Sequence, residues 1–238
     1  AIAAGMLGEL GGLLVDRRVE DYTGLELLHS GGRNIFRGSY GDATVVLKAY
    51  TIASEADAKT LQREVLTLAR LEHPSIIRLS AVMEQSGQHG ETLCYIELPY
   101  FPAGDLVRWL ETTQMSDKRA VVRQGCGQVM RAVEYMHDRG IAHCDIKPEN
   151  VFVDDRDELD AGGVTFVLAD FDLSLNVSSR AASSRASVRG TPGQLTMAPE
   201  VADGSIDLRP GANGRFQADI FCAGGLLYWA GAHCPGQP

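Results

Sequence analysis

The stretch His143-Cys144-Asp145-Ile146-Lys147-Pro148-Glu149-Asn150 is the one whose reading decides the fold. It places a carboxylate, an ammonium and an amide at fixed offsets in one short loop. Phosphoryl transfer uses those three groups together: an acid to receive a hydroxyl proton, a cation to meet a phosphate, and an amide oxygen to hold a metal ion. So short a signal gains weight only if the rest of the chain supplies partner groups in a consistent order.

Size and charge bound the answer. The chain has 238 residues, 45% of them hydrophobic, enough for one large domain or two small lobes with a sizeable core. The formal net charge is −9 and no long basic run occurs. Nucleic acid is therefore not expected as the main ligand, because binding to a phosphate backbone depends on clustered Lys and Arg. The five cysteines (Cys94, Cys126, Cys144, Cys222, Cys234) are scattered, and no CxxC pair occurs. That usage predicts reduced thiols in a cytoplasmic protein, not a disulfide framework or a zinc site. Residues 1–15 are rich in Ala, Gly and Leu, too short to span a bilayer and without a preceding charged segment. They read as a packing segment, with a signal-peptide remnant as the alternative. No membrane span, internal repeat or heptad pattern is found.

Strands are predicted at Leu25–Leu28, Asn34–Arg37 and Thr44–Tyr50, punctuated by Gly31-Gly32, Gly38 and Gly41-Asp42. Leu61, Val65, Leu68 and Leu71 recur with helical spacing and predict a helix over 55–71, closed by His73-Pro74. Residues 76–98 return to β character around a polar turn from Gln85 to Gly90, and Pro99 to Gly104 reads as a linker. A mainly helical half follows. Val122, Cys126, Val129, Val133 and Met136 line one helical face that stops at Gly140. Val151–Val153 and Val164–Ala169 read as short strands around an acidic turn, residues 176–189 as a mobile loop, and a last apolar helix starts near Ala218. A β-rich lobe with one helix thus precedes a helix-rich lobe, and a cleft between two lobes is a natural place for a small ligand.

On this framework lie, in order, Val45-Val46-Leu47-Lys48, Glu64 in Gln62-Arg63-Glu64-Val65, the 143–150 loop, Asp170-Phe171-Asp172, Gly190-Thr191 through Met197-Ala198-Pro199-Glu200, and Asp219. Each motif is weak alone; their order is that of the eukaryotic-type protein kinases. The chain resembles that family over residues 22–230, on its serine/threonine branch. The resemblance implies an α+β, two-lobed protein-kinase-like fold: a small antiparallel β-sheet lobe with one helix, and a mainly helical lobe. Residues 1–21 are then an N-terminal extension, 22–99 the N-lobe, and 100–238 an incomplete C-lobe ending in the helix that starts near Asp219. The family carries further helices after that one, so the chain reads as a truncated or minimal domain.

Function follows from the resemblance as expectation. It implies transfer of the γ-phosphoryl group of ATP, with Mg²⁺, to Ser/Thr hydroxyls of protein substrates. Asp145 is expected to accept or orient the hydroxyl, Lys147 to neutralise charge on the transferred group, and Thr191 to position both. Lys48, held by Glu64, is expected on the α- and β-phosphates. Asn150 and Asp170 are the expected Mg²⁺ ligands. The remaining nucleotide positions are Gly31, Gly32, Ile35, Val46, Leu98 as gatekeeper, Pro99, Phe101, Asp105 and Phe152 beneath adenine. Asp105 and Glu149 also match acids that, in some relatives, meet an Arg upstream of the target residue. Autophosphorylation is expected at Ser183, Ser184 or Ser187, and Asp219 is expected to anchor the catalytic-loop backbone.

The chain also departs from the family pattern. Leu28, Ser30 and Arg33 stand where the glycine-rich loop has its glycines. Either Gly31-Gly32 supplies close backbone approach in another register, or ATP is held more weakly. Arg33 reads as a solvated strand-edge charge, with phosphate contact as the alternative. Cys144 replaces the arginine that reads a phosphorylated activation loop, and is expected to be a buried, inert thiol. Asp172 replaces a glycine that eases the turn after the metal-binding Asp. These departures define the competing reading, a pseudokinase acting as a nucleotide-binding or scaffold module. A small-molecule kinase is disfavoured because the Thr191–Glu200 segment resembles a peptide-docking platform.

Overall fold

The computed structural model describes residues 10, 12–30, 33–87, 90–115, 117–156, 163–177, 197–206 and 213–234. The chain divides into two compact units, Ala1–Leu71 with Ile77–Tyr100, and Glu72–Ile76 with Phe101–Pro238. The first carries the sheet and one helix; the second is mainly helical.

The first unit is built on β1 (Thr23–His29), β2 (Ile35–Tyr40), β3 (Ala43–Ile52), β4 (Ala81–Ser86) and β5 (Thr92–Pro99). All neighbours pair antiparallel in the order β1-β2-β3-β5-β4. Gly38 was expected to break a strand, yet it sits inside β2. A Cβ there would lie 2.7 Å from Leu25 Cδ2, so the missing side chain is what lets Leu25 lean across the pair. Helix α1 (Glu55–Leu68) opens with a capping box in which Ser54 and Asp57 each bond the other's backbone N–H. It ends earlier than the apolar spacing suggested. Arg70 and Leu71 donate to Thr67 and Leu68 in a tightened last turn that still buries Leu71.

Strand alternation gives this sheet two covered faces. On one, Tyr50, Ile52, Val82, Cys94 and Ile96 pack with Ala58, Leu61 and Val65 of α1. On the other, Val45, Leu47, Met83 and Tyr95 pack with Tyr22, Val15 and Val19 from the segment before β1. A buried acid ties that segment down. Glu97 is 5% exposed; Oε2 accepts from Arg17 Nη1 at 3.0 Å and from the Tyr22 hydroxyl. Burial, and then the bond to Glu97, raise the Tyr22 pKa well above that of a free phenol. Leu10, fully buried, and Leu14, bridged to Val82, extend the packing toward the N-terminus.

The β character predicted from residue 76 begins only at Ala81. Ile76 forms a single bridge to Leu168, and Ser75 accepts from Leu168 N–H at 2.9 Å, so these residues belong to the second unit. That unit holds α2 (Leu106–Thr112), α3 (Lys118–His137), β6 (Ile141–Ala142), β7 (Val151–Asp154), β8 (Thr165–Leu168), β9 (Leu175–Asn176), α4 (Pro199–Ala202) and α5 (Gly214–Ala232). β6 pairs β9 and β7 pairs β8, both antiparallel. The apolar face of α3 is buried as its spacing required. At Gly125 a Cβ would stand 2.5 Å from the Phe166 ring, so a glycine in mid-helix lets β8 approach. Gln128 reinforces the approach, accepting from Phe166 N–H and donating to Val164 O. Helix α5 starts at Gly214, ahead of the apolar run, and its first turn buries Arg215, a residue that hydropathy assigns to solvent.

All five cysteines are buried and none forms a disulfide. Among the described residues no helix is long and apolar enough to cross a membrane. A hydrogen bond to a buried charge is worth about 1.5–3 kcal/mol. Tyr22→Phe, which strips one donor from Glu97, is therefore expected to lower the unfolding free energy by about that amount, measured by urea denaturation.

Candidate active site

In the first unit the site is assembled by sheet register. Ile35 stands opposite Lys48, and Val46 opposite Leu98. Alternation places Ile35, Val46, Lys48 and Leu98 on the face that α1 covers. Lys48, 8% exposed, meets Glu64 of α1 at 3.1 Å from Nζ to Oε1, and Glu64 is 1% exposed. Two buried charges in such contact hold each other in place, since neither is stable alone in a dry interior. Tyr50, two residues beyond Lys48 on the same strand face, donates its hydroxyl to Glu64 Oε2. The Arg33 guanidinium lies 4.5 Å from the Tyr50 ring centroid, so Arg33 is a stacked cation and not the solvated edge charge expected. Pro99 ends β5 opposite Val45.

In the second unit the 143–150 loop hangs from one buried acid. Asp219 of α5, fully buried, accepts from His143 N–H at 2.7 Å and from Cys144 N–H at 2.8 Å, and lies 3.0 Å from His137 Nε2. These bonds hold Cys144 in the left-handed region, at φ 67°, which is uncommon for a side chain larger than glycine. The His143 ring is fully buried. Nδ1 receives Asp145 N–H at 3.3 Å, so Nε2 carries the proton donated to Ala169 O at 3.0 Å. Burial lowers the His143 pKa, outweighing the nearby carboxylates, and keeps the ring neutral. With both ring nitrogens committed to the backbone, His143 is scaffold.

The three polar groups of the opening motif converge. Asp145 Oδ2 receives Lys147 Nζ at 2.7 Å and Asn150 Nδ2 at 2.8 Å. Asp145 Oδ1 has no partner among the described residues and is open to a hydroxyl proton. Asn150 Nδ2 also donates to Asp145 O at 2.8 Å, which leaves Asn150 Oδ1 without a donor among the described residues. Asp170 is exposed and takes φ 62°. An amide oxygen and a carboxylate are hard oxygen donors of the kind Mg²⁺ takes, alongside water and phosphate oxygens. Asn150 and Asp170 therefore fit that ion.

Other expected residues fall as follows. The Phe152 ring lies 5.9 Å from that of Phe101, itself under the Arg156 guanidinium at 5.3 Å. Asp105 caps α2, accepting from Arg108 N–H at 2.9 Å, and bridges Phe152; this gives it a structural task the motif reading had not assigned. Cys144 packs with Ala142, Leu175 and Val177, and burial raises its pKa far above that of a free thiol. Asp172 has no positive φ; the left-handed residue is Asp170. The turn therefore needs no glycine at 172, and one argument for a defective site is removed. Gly31, Gly32, Thr191, Ser183, Ser184 and Ser187 lie outside the described residues. Tyr50 and His137 were missed. Strand period alone puts Tyr50 beside Lys48, but nothing in the sequence says that both reach one carboxylate.

Asp219→Asn keeps the shape but halves the acceptors for two buried N–H groups and removes the charge. It is expected to cost at least about 1.5–3 kcal/mol of stability in chemical denaturation. The His143 shift sets a pH dependence. Its folded pKa is depressed, so the stability it contributes is present above the unfolded value of about 6.5 and is lost as pH falls below it. Unfolding free energy should decline from pH 7 to 5.5, and His143→Gln should flatten that decline by up to about 1.4 kcal/mol per pH unit.

Comparison with known proteins supplies the family. Residues 38–234 match the family described as the protein kinase domain. The chain is 25% identical over 226 residues to a bifunctional serine/threonine-protein kinase/NEDD4-like E3 ubiquitin-protein ligase of Dictyostelium discoideum, covering 92% of this chain and 11% of that protein. It is 31% identical over 169 residues to CBL-interacting serine/threonine-protein kinase 15 of Arabidopsis thaliana, covering 71% and 35%. It is 29% identical over 230 residues to a probable CTD kinase subunit alpha homolog of Encephalitozoon cuniculi, covering 92% and 61%. The chain thus spans less than two thirds of the length of each of these relatives. With the ordered motifs, the antiparallel sheet and the anchored 143–150 loop, the match shows that this chain belongs to the eukaryotic-type protein kinase domain family.

Proposed function

We propose that the chain transfers the γ-phosphoryl group of ATP to Ser/Thr hydroxyls of protein substrates with Mg²⁺. The observation that carries the proposal is the convergence of Lys147 and Asn150 on one oxygen of Asp145, with the other oxygen open. Asp145 orients the substrate hydroxyl and receives its proton as the new O–P bond forms. Lys147, 2.7 Å from that carboxylate, offsets negative charge on the transferred phosphoryl oxygens. Lys48, fixed by Glu64, holds the α- and β-phosphates, while Ile35, Val46, Leu98, Pro99, Phe101 and Phe152 contact the base. When bound through Asn150 and Asp170, Mg²⁺ supplies charge neutralisation at the phosphates.

The finer assignments belong to the same proposal. Thr191 steadies Asp145 and Lys147, and Gly31-Gly32 gives the phosphates close backbone approach. Asp105 and Glu149 favour substrates with an Arg upstream of the target, and the activation segment is modified at Ser183, Ser184 or Ser187. Residues 1–21 serve as an extension, 22–99 as N-lobe and 100–238 as C-lobe, in a cytoplasmic protein. Buried reduced thiols and the lack of a membrane-crossing helix among the described residues support that setting.

The competing pseudokinase reading rests on Leu28, Ser30 and Arg33 in place of glycines. One assay separates the two. With Mg²⁺ and labelled ATP, the purified chain should phosphorylate itself or a generic basic protein, and Asp145→Asn should lower the rate by at least about 100-fold. Undiminished labelling by that variant rejects the mechanism. A thermal shift with Mg·ATP but no turnover identifies the pseudokinase.

A further inference from the structure

The described residues ahead of β1 pack on both faces of the first unit's sheet. They pass from one face to the other around an edge. β4 is the last strand in the sheet order; Leu14 bridges Val82 in parallel, and Val15 N–H donates to Val82 O at 2.9 Å. Before that crossing, Leu10, Leu13 and Leu14 pack in the cluster that holds Ala58, Leu61 and Val65 of α1. After it, Val15, Val19 and Tyr22 pack on the opposite face with Val45, Leu47 and Met83. That far end is clasped. Arg17 Nη1 meets Glu97 Oε2 at 3.0 Å, and its guanidinium lies 4.1 Å from the Tyr40 ring centroid. Val19 N–H donates to Gln85 Oε1 at 3.3 Å, and the Tyr22 hydroxyl donates to Glu97.

We infer that this segment is a strap that positions α1, with Leu10 as its peg, and so holds Glu64 where Lys48 meets it. Leu10, Leu61 and Val65 are all fully buried, and Glu64 stands between the latter two on α1. Residues three apart share a helical face, so Glu64 cannot keep its place if Leu61 shifts. The seat of α1 over the sheet is set by what fills the cluster beneath it, because a packed interior tolerates little void. The peg is delivered at low entropic cost, since the chain behind it is already fixed at the β4 edge and at Glu97. The family match begins at residue 38, so the strap lies outside the stretch that the match covers. The inference rests on the kinase reading for its consequence, because there the Lys–Glu pair must be in place for phosphoryl transfer.

Leu10→Ala trims the peg and leaves the clasp residues untouched. Two readouts on the full chain test it. The first is amide hydrogen exchange resolved by peptide mass, with no nucleotide present. Amides of α1 should exchange at least about ten-fold faster, as loss of a fully buried leucine requires, with β3 and β5 unchanged. Leu10→Met keeps the volume and should restore the wild-type rate. Leu13→Ala, which trims a half-buried member of the same cluster, should act in the same direction more weakly, and replaces Leu10→Ala if that variant does not fold. The second readout is steady-state phosphotransfer. In Leu10→Ala kcat/KM for Mg·ATP should fall about three- to ten-fold as the docked population of α1 shrinks. In a Glu64→Gln background it should not fall further, because no ion pair is left to position; a merely structural role costs the same factor in both backgrounds. Faster exchange in α1, β3 and β5 together, or unchanged exchange in α1, overturns the inference. So does an equal loss of activity with Gln at 64, or undiminished activity in Leu10→Ala. If the wild-type chain does not turn over Mg·ATP, the kinase reading fails, and the exchange rates alone decide whether the strap positions α1.

Discussion

One buried carboxylate holds the chemistry of the second unit in place. Asp219 cannot be solvated where it sits, so it takes hydrogen bonds from His143 N–H, Cys144 N–H and His137. Those bonds keep Cys144 at its left-handed dihedral and turn the chain so that Asp145, Lys147 and Asn150 close on one another. The cost of burying the charge is offset only while the loop keeps this shape, which makes the loop's geometry a condition of the core and not a property of its own residues. His143 adds a second tether, to Ala169 beside Asp170, so the metal-ligand candidates share one scaffold.

The first unit solves a related problem with a sheet covered on both faces. One face packs α1 and carries the Lys48–Glu64–Tyr50 cluster; the other packs the segment before β1 and carries the Arg17–Glu97–Tyr22 cluster. In each, a buried glutamate receives one cation and one phenol. Each cluster pins a flanking segment, α1 or the N-terminal stretch, to a strand that also bears a nucleotide-site candidate, Lys48 on β3 and Leu98 on β5. Fixing such residues from rigid elements is what gives the Lys48 ammonium a defined position.

Cys144 marks where this chain parts from its family. The position sits in an apolar cluster with Leu175 and Val177, and the thiol is held protonated by burial and by the Asp219 charge. A side chain so placed packs; it neither reads a phosphate nor reacts. Asp172 proves less consequential than its sequence context suggested, because the strained turn falls at Asp170.

The pairing of Lys48 with Glu64 and of Asp219 with the 143–150 loop was expected through the family resemblance; what the sequence determined by itself were the features that depend on period and order: the strands, the apolar faces of α1 and α3, and the ordered motifs. These are legible because alternation, helical repeat and motif spacing are local properties. Residues 72–76 belonging to the second unit, the early start of α5 at a buried Arg215, Gly38 inside a strand, the capping task of Asp105, and the sharing of Glu64 by Tyr50 were decided only by tertiary structure. Each turns on what a distant element places against the residue. Local pattern assigns a charged or small side chain to solvent or to a turn; only the packed neighbour supplies the partner that makes its burial favourable.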